Sequence, residues 1–302
     1  MLKVPLTSSF GLREDAAALI ASYGSRFDAE VLGATRDLFA GAWNQALPPA
    51  GSRQDDLPYG GDPRQRFDLF LPGTTGEAIV IFVPGGGFTG GDKSGYAHIG
   101  AWFCRRGFLA ATVNYRLAPA APWPAGAQDV STAIEVLARK GLEVGADPTK
   151  IFVVGQSAGA THCCAALLDE RFRPDCVSSI RHGILLSGIY NVDESSTHPG
   201  VRAYFGDDHS LYRDRSPVNF ISDGAIPVEL GIAEYDLPFV VASGFNLALA
   251  LTLRNNKSPP LVWMRGHNHV SAVLALGTPE DMLGEAMAGA FEESVRQSPA
   301  AG

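Results

Sequence analysis

The stretch Gly155-Gln156-Ser157-Ala158-Gly159 decides the fold of this chain. The apolar run Ile151–Val154 stands immediately before it, and the small residues Ala158–Thr161 follow it. An apolar, β-branched run predicts a buried strand, and the alanine-rich run after it can begin a helix. G-x-S-x-G between a strand and a helix is the pattern of a nucleophile elbow, a sharp turn that exposes a serine hydroxyl. The pattern alone also fits a plain tight turn, so the rest of the chain must decide.

Length and composition favour a globular protein with a sizeable core. The chain has 302 residues, of which 46% are hydrophobic and 19% charged, enough for one large domain or two small ones. The net charge of −8 disfavours a nucleic-acid partner. No apolar run approaches the roughly 20 residues that span a bilayer, so no membrane span is expected.

The N-terminus and the cysteines point to a reducing compartment. Residues Met1–Pro5 lack the basic and long apolar regions of a signal peptide, which predicts a cytoplasmic protein. The cysteines show neither C-x-x-C nor a metal-binding spacing, and we expect reduced thiols and no metal; they are Cys104, Cys163, Cys164 and Cys176.

Residues 11–46 are helical by their periodicity. Apolar or small side chains recur at helical spacing at Leu12, Ala16, Leu19, Ile20, Phe27, Val31, Leu32, Thr35, Leu38 and Phe39. Because these helices precede the first strand candidate, residues 1–56 are predicted to form a segment outside the central sheet. The segment would cover the substrate mouth or form a contact in a homo-oligomer.

From Arg66 onward, short apolar runs alternate with helical stretches. The strand candidates are residues 67–71, 78–83, 108–115, 151–154, 183–186, 228–233 and 261–264. Gln128–Lys140 is predicted to be a helix. Continuous apolar strands separated by helices indicate an α/β fold, with a mostly parallel sheet covered on both faces. This domain is assigned to residues 57–302, and the polar segment Tyr190–Ser222 is an excursion from it, either a long loop or a small cap.

Three glycines follow the strand candidate at residues 78–83. Backbone N–H groups of Gly85, Gly86 and Gly87 could point into a cavity and hold the negative oxygen that forms when a nucleophile attacks a carbonyl. A phosphate cradle and a plain glycine turn are the alternatives. The run matches neither of the common phosphate-binding glycine patterns.

An acid candidate and a base candidate follow the serine along the chain, each directly after a strand candidate. Asp236 comes just after the run at 228–233, at the carboxyl end of the strand; Glu234 is the close alternative, and Asp223 lies before the strand, at the wrong edge. His267 and His269 follow the last strand candidate. The two histidines could also be metal ligands, but the motif offers no third ligand beside them.

Together these motifs resemble the α/β-hydrolase esterases. The resemblance rests on Gly85–Phe88, on Asn114–Pro119, on Asp129 and on Gly155–Gly159, in this order. The hormone-sensitive-lipase-like carboxylesterases and the feruloyl-esterase and kynurenine-formamidase-like group are similar. The resemblance covers about residues 57–295 and not the N-terminal helices.

The resemblance implies a catalytic triad of Ser157, Asp236 and His269. It also implies an oxyanion hole formed by the backbone N–H groups of Gly86, Gly87 and Ala158. His269 matches the base because it stands directly before the closing helix, and His267 would then be a neighbouring loop residue. The sequence departs from the family at Pro84, where a histidine that supports the glycine loop is usual.

The expected function is therefore hydrolysis of a small or aryl carboxylic ester through an acyl-enzyme intermediate, without a cofactor. An amidase or arylformamidase with the same triad is the alternative, and a non-catalytic binding protein on this fold is a third reading. Aromatic and histidine side chains expected to line the substrate pocket are Phe88, Trp123, Tyr190, Tyr204, Phe205 and His267.

Overall fold

The computed structural model describes residues 12–43, 51–73, 76–194, 196, 198–224 and 226–296. Within them the chain forms one eight-stranded sheet and ten α-helices. The strands are β1 (Arg53–Pro58), β2 (Arg66–Phe70), β3 (Ile79–Val83), β4 (Leu109–Val113), β5 (Ile151–Gln156), β6 (Ile180–Leu186), β7 (Val228–Tyr235) and β8 (Leu261–Asn268). The helices are α1 (Glu14–Tyr23), α2 (Ala29–Trp43), α3 (Ala97–Arg105), α4 (Ala125–Glu143), α5 (Ala158–Leu168), α6 (Pro199–Phe205), α7 (Tyr212–Arg215), α8 (Pro238–Asn255), α9 (Ser271–Leu274) and α10 (Leu283–Arg296).

The strand order is β1-β2-β4-β3-β5-β6-β7-β8. The pairs β1–β2 and β2–β4 are antiparallel, whereas all the pairs from β4 to β8 are parallel. The carboxyl ends of the parallel strands meet at one edge of the sheet, where α/β proteins bind their ligands. The segments that follow β3, β5, β7 and β8 therefore lie side by side at that edge.

Two apolar layers hold the helices to the sheet. One layer packs α4, α5 and α8 against one face, and the other packs α1, α2, α3 and α10 against the opposite face. The central strands contribute side chains to both layers; all five residues of β3, for example, are buried. This double burial explains why these strands are continuous apolar runs in the sequence. The predicted α/β class, with helices on both faces, is confirmed.

All seven predicted strands are present, and the helix predicted at residues 128–140 is α4. The sequence did not reveal β1. Its residues are mostly polar and exposed, so it shows no apolar alternation, and backbone pairing with β2 holds it at the sheet edge. The predicted division at residue 57 falls inside this strand. Residues 1–11 and 44–50 of the predicted segment 1–56 lie outside the described residues. The rest contains α1 and α2, and from Arg53 onward it belongs to β1.

The excursion at residues 190–222 lies between β6 and β7 and carries α6 and α7 as short helices. Among the helices of the described ranges, none has the length and hydropathy needed to cross a bilayer.

Candidate active site

Ser157 stands in a strained turn between β5 and α5. Its backbone adopts φ 55° and ψ −124°, which is unfavourable for a residue with a side chain. A Cβ atom at Gly155 would lie 2.6 Å from Ala160 Cα, and one at Gly159 would lie 2.2 Å from Val83 O. Glycine is therefore required at both positions of the motif, because neighbouring backbone atoms leave no room for a side chain. The Ser157 N–H donates to Leu186 O at 2.8 Å, which ties the turn to β6.

Ser157, His269 and Asp236 form one hydrogen-bonded line. The His269 Nε2 atom lies 2.8 Å from Ser157 Oγ, and Nδ1 lies 2.6 Å from Asp236 Oδ1. Because a carboxylate only accepts, the proton of a neutral imidazole belongs on Nδ1, and Nε2 is free to accept the serine proton. The imidazole is therefore held in the tautomer that a general base needs.

Asp236 is fixed by two further donors. Its Oδ2 atom accepts the Ser187 hydroxyl at 2.6 Å and the Ala233 N–H at 3.2 Å, and its side chain is fully buried. Sequence reasoning missed Ser187. The available signal was its position as a polar residue directly after the strand candidate at 183–186, at the same sheet edge as Ser157.

The alternative acid residues have other partners. Glu234 accepts the Gly266 N–H at 2.7 Å, so it braces the chain before His269 without contacting the imidazole. Asp223 is exposed and pairs with Arg254 on α8.

His267, which was predicted to line the pocket, lies in the interior of the structure, and its pocket role stays a prediction. The side chain is fully buried, and its Nδ1 lies 2.9 Å from Ser271 Oγ. Burial lowers the pKa of His267 to about 4, so its imidazole is neutral. In the part of the chain that the structure describes, no three His, Cys, Asp or Glu side chains are grouped so as to hold a metal ion.

The glycine loop, residues Pro84–Gly91, lies directly against the serine. A Cβ atom at Gly85 would be only 2.7 Å from Ser157 Cβ. Gly86 and Gly87 have φ values of 153° and 59°, which favour glycine. Their N–H groups donate to no acceptor within the described ranges, whereas Gly86 O accepts the Gly90 N–H at 2.9 Å. The loop thus has a closed turn of its own and two amides available for a ligand.

Tyr115 supports the loop at Pro84, where the related family has a histidine. The Tyr115 hydroxyl donates to Pro84 O at 3.0 Å. The ring of Tyr115 meets the edge of His162, with 4.6 Å between centroids. Burial lowers the pKa of His162 to about 3, so this histidine packs as a neutral ring. A tyrosine hydroxyl and apolar packing hold the chain here.

Phe88, Tyr204 and Phe205, which were predicted to line the pocket, are interior residues, and their pocket role stays a prediction. Phe88 stacks on Tyr204 with centroids 5.0 Å apart and meets Phe205 edge-on at 5.5 Å, and all three rings are at most 2% exposed. They pack α6 against the glycine loop.

Trp123 and Tyr190 were also predicted to line the pocket. Trp123 is half-buried and contacts the guanidinium groups of Arg171 and Arg215, with 5.7 and 5.5 Å to the ring centroid. Tyr190 is 1% exposed and belongs to the apolar layer that holds α4, α5 and α8. The pocket role of these two residues stays a prediction.

The N-terminal helices reach the histidine loop, residues Gly266–Ser271. Phe27, between α1 and α2, meets the His269 ring edge-on with 4.9 Å between centroids. The Asn268 side chain donates to Thr35 Oγ1 at 3.0 Å, and Trp43 Nε1 donates to Leu274 O at 2.8 Å. Sequence periodicity included Phe27 and Thr35 only as helix positions. Nothing in the pattern distinguished them from ordinary core residues.

Comparison with known proteins agrees with this fold. Residues 67–176 match the family model described as BD-FAE. The chain is 32% identical over 149 residues to the isoprenylcysteine alpha-carbonyl methylesterase ICME of Arabidopsis thaliana, which covers 46% of this chain and 35% of that protein. It is 26% identical over 224 residues to esterase LipQ of Mycobacterium tuberculosis (strain ATCC 25618 / H37Rv), which covers 66% of this chain and 53% of that protein.

The chain therefore spans about a third to a half of the length of these curated relatives. Among solved structures, the hyperthermophilic esterase of the archaeon Pyrobaculum calidifontis has a TM-score of 0.71 at 21% identity. That alignment covers 94% of this chain and 97% of the other, so the whole described fold is shared. The chain therefore has the α/β-hydrolase fold, and the proteins that it resembles are named as esterases.

Proposed function

We propose that this protein is a serine hydrolase that cleaves carboxylic esters through an acyl-enzyme at Ser157. The observation that carries the proposal is the line of hydrogen bonds from Ser157 Oγ through His269 to Asp236. The glycine loop lies against the serine end of this line, and its Gly86 and Gly87 N–H groups have no acceptor among the described residues. The names of the relatives support an ester as the substrate.

Acylation uses each group at the atom where the structure holds it. Ser157 Oγ attacks the ester carbonyl while His269 Nε2 takes the hydroxyl proton, and buried Asp236 stabilises the imidazolium that forms. The N–H groups of Gly86, Gly87 and Ala158 donate to the oxyanion. Losing one such donor typically costs about 10²- to 10³-fold in kcat. His269 then gives its proton to the departing alkoxide, and the alcohol leaves.

Deacylation repeats these steps with water. His269 takes a proton from a water molecule, which attacks the acyl carbon of the Ser157 ester. The second oxyanion accepts hydrogen bonds from the same N–H groups. The intermediate then collapses, the bond between the acyl carbon and Ser157 Oγ breaks, and the carboxylic acid is released. The serine recovers its proton from His269, so the enzyme returns to its starting state without a cofactor.

The Ser157→Ala variant tests the assignment. We expect hydrolysis of p-nitrophenyl butyrate to fall by at least about 10³-fold, because the nucleophile is lost. The matched control is Ser178→Ala, which removes an exposed serine outside the site and should leave the rate unchanged. A fluorophosphonate probe should label Ser157 in the wild type. Full activity in Ser157→Ala, or no labelling of the wild type, would contradict the proposal.

Amide hydrolysis stays a prediction, and the same preparation decides it. A parallel assay with N-formylkynurenine measures that activity under identical conditions. A specificity constant for the amide above that for the aryl ester would replace the ester assignment with the arylformamidase alternative.

The division of the chain and its self-association also stay predictions. Contact between Phe27 and His269 supports a role for the N-terminal helices as a cover of the reacting atoms. Exposed apolar side chains on α8 and on the edge strand β8 support contact between copies; they are Phe245, Leu249, Leu253, Leu261 and Trp263. Sedimentation velocity of the purified chain measures the oligomeric state.

A further inference from the structure

His198 is an exposed histidine that the triad does not use and that lies against the glycine loop. It immediately precedes α6, and its Cε1 atom is 3.4 Å from the position that a Cβ atom at Gly87 would take. A Cβ atom at Gly200 would lie 1.9 Å from Gly87 O, so the first turn of α6 rests directly on this loop. The imidazole therefore stands beside one of the proposed oxyanion donors.

The hydrogen bond that His198 makes determines which of its nitrogens carries the proton. Its Nδ1 atom accepts the Gly200 N–H at 3.1 Å, so Nδ1 is unprotonated. The proton of the neutral ring is then on Nε2, on the far side of Cε1 from this bond. No described residue accepts from Nε2.

The electrostatics of the cleft keep this ring neutral. Partial burial, and then the positive charge of a protonated His269, lower the pKa of His198. The two imidazoles therefore interact across the same cleft. A neutral imidazole offers a hydrogen-bond donor there without adding a second charge beside the base.

The ring is also held in place before any substrate binds. Val201, Tyr204 and Phe205 of α6 are at most 2% exposed, and Tyr204 stacks on Phe88 of the glycine loop. The Trp123 N–H donates to Tyr204 O at 2.8 Å, which fixes the other end of α6. A donor on a rigid element loses little entropy when it binds a ligand.

We propose that His198 is a substrate-binding residue whose Nε2–H donates to an oxygen atom that the substrate carries close to the scissile carbonyl. This inference rests on the proposed ester hydrolysis and narrows its substrate class. The favoured substrates are esters with an ether, hydroxyl or second carbonyl oxygen within a few bonds of the reacting carbon. Esters with plain alkyl chains of equal length lack the acceptor.

Two esters of equal chain length test the proposal. In p-nitrophenyl methoxyacetate an ether oxygen replaces one CH₂ group of p-nitrophenyl butyrate. The measured quantity is the ratio of kcat/KM for the methoxyacetate to that for the butyrate. Comparing this ratio between variants cancels the difference in intrinsic reactivity of the two esters.

His198→Ser removes the donor and keeps an oxygen that can cap α6. We expect its ratio to fall about three- to tenfold below that of the wild type, which is the range for one net hydrogen bond. His198→Gln places an amide N–H near the position of Nε2 and should restore the ratio.

Two results would be decisive against these assignments. An unchanged ratio in His198→Ser, which includes an equal fold-loss for both esters, would overturn the role of His198 and leave the esterase assignment intact. Failure of the wild type to hydrolyse either ester would overturn the esterase assignment itself.

Discussion

The glycine loop and the histidine loop meet at Ser157, but different forces hold them. The glycine loop rests on packed rings, and a single side-chain hydroxyl, that of Tyr115, supports Pro84. The histidine loop is fixed by buried polar bonds, among them the bond from Asn268 to Thr35 on α2. An oxyanion donor is a backbone amide, so packing that fixes the backbone is sufficient. A base needs a fixed ring, and hydrogen bonds fix orientation.

The largest expected effect concerns the rings behind the glycine loop. His162 packs among Tyr115, Phe88 and Tyr204 as a neutral ring, and its Nε2 has no hydrogen-bond partner in the described structure. Its pKa of about 3 in the folded protein lies below the value of 6.5 for a free histidine. As the pH falls, the unfolded chain therefore takes up a proton at this histidine before the folded protein does. The free energy of unfolding keeps the full contribution of neutral His162 above pH 6.5 and loses it progressively below that pH.

His162→Phe should remove this sensitivity to acid. The free energy of unfolding is measured by urea denaturation at pH 7 and at pH 5. Between these two pH values, we expect the variant to lose about 2 kcal/mol less of this free energy than the wild type. His209→Phe is the control, because His209 is exposed and should show no such gain. An equal loss of stability in the wild type and His162→Phe would show that the cluster does not depend on a neutral histidine.

Tyr115→Phe probes the one hydroxyl that supports Pro84. The variant keeps the ring and leaves Pro84 O without its donor. We expect kcat for p-nitrophenyl butyrate to fall about tenfold with little change in KM. The reason is that a shift of the loop would displace the oxyanion donors, which stabilise the transition state more than the bound substrate. Unchanged kcat would show that the loop keeps its position without the Tyr115 hydroxyl, which would sharpen the contrast with the histidine loop.

Thr35→Val probes the polar side of the comparison and should have the smallest effect. It removes the acceptor of Asn268, which lies directly before His269. A fall of about threefold in kcat is expected, together with a loss of about 1 kcal/mol in the free energy of unfolding. Thr35→Ser keeps the hydroxyl and should behave as the wild type. Equal behaviour of the two variants would show that α2 does not hold the base.

Much of the fold followed from local patterns. The central strands are buried on both faces, so their sequences are continuous apolar runs that stand out from the helices between them. The strand β1 is exposed and polar, and only its pairing with β2 defines it. The sequence does not separate pocket residues from core residues, because an aromatic ring beside a site has the same sequence signature as a ring packed behind it; Phe88 is an example.

The sequence by itself determined the order of the chemical groups: the glycine run, Ser157, Asp236 and His269, each next to a strand. Covalent order and strand polarity are sufficient for this, because parallel strands bring their carboxyl ends to one edge. Only the tertiary structure decided what supports these groups. The contacts of Ser187 with Asp236, of Tyr115 with Pro84, of Phe27 with His269 and of His198 with Gly87 join distant parts of the chain. Such contacts depend on how layers pack, and no local pattern carries that information.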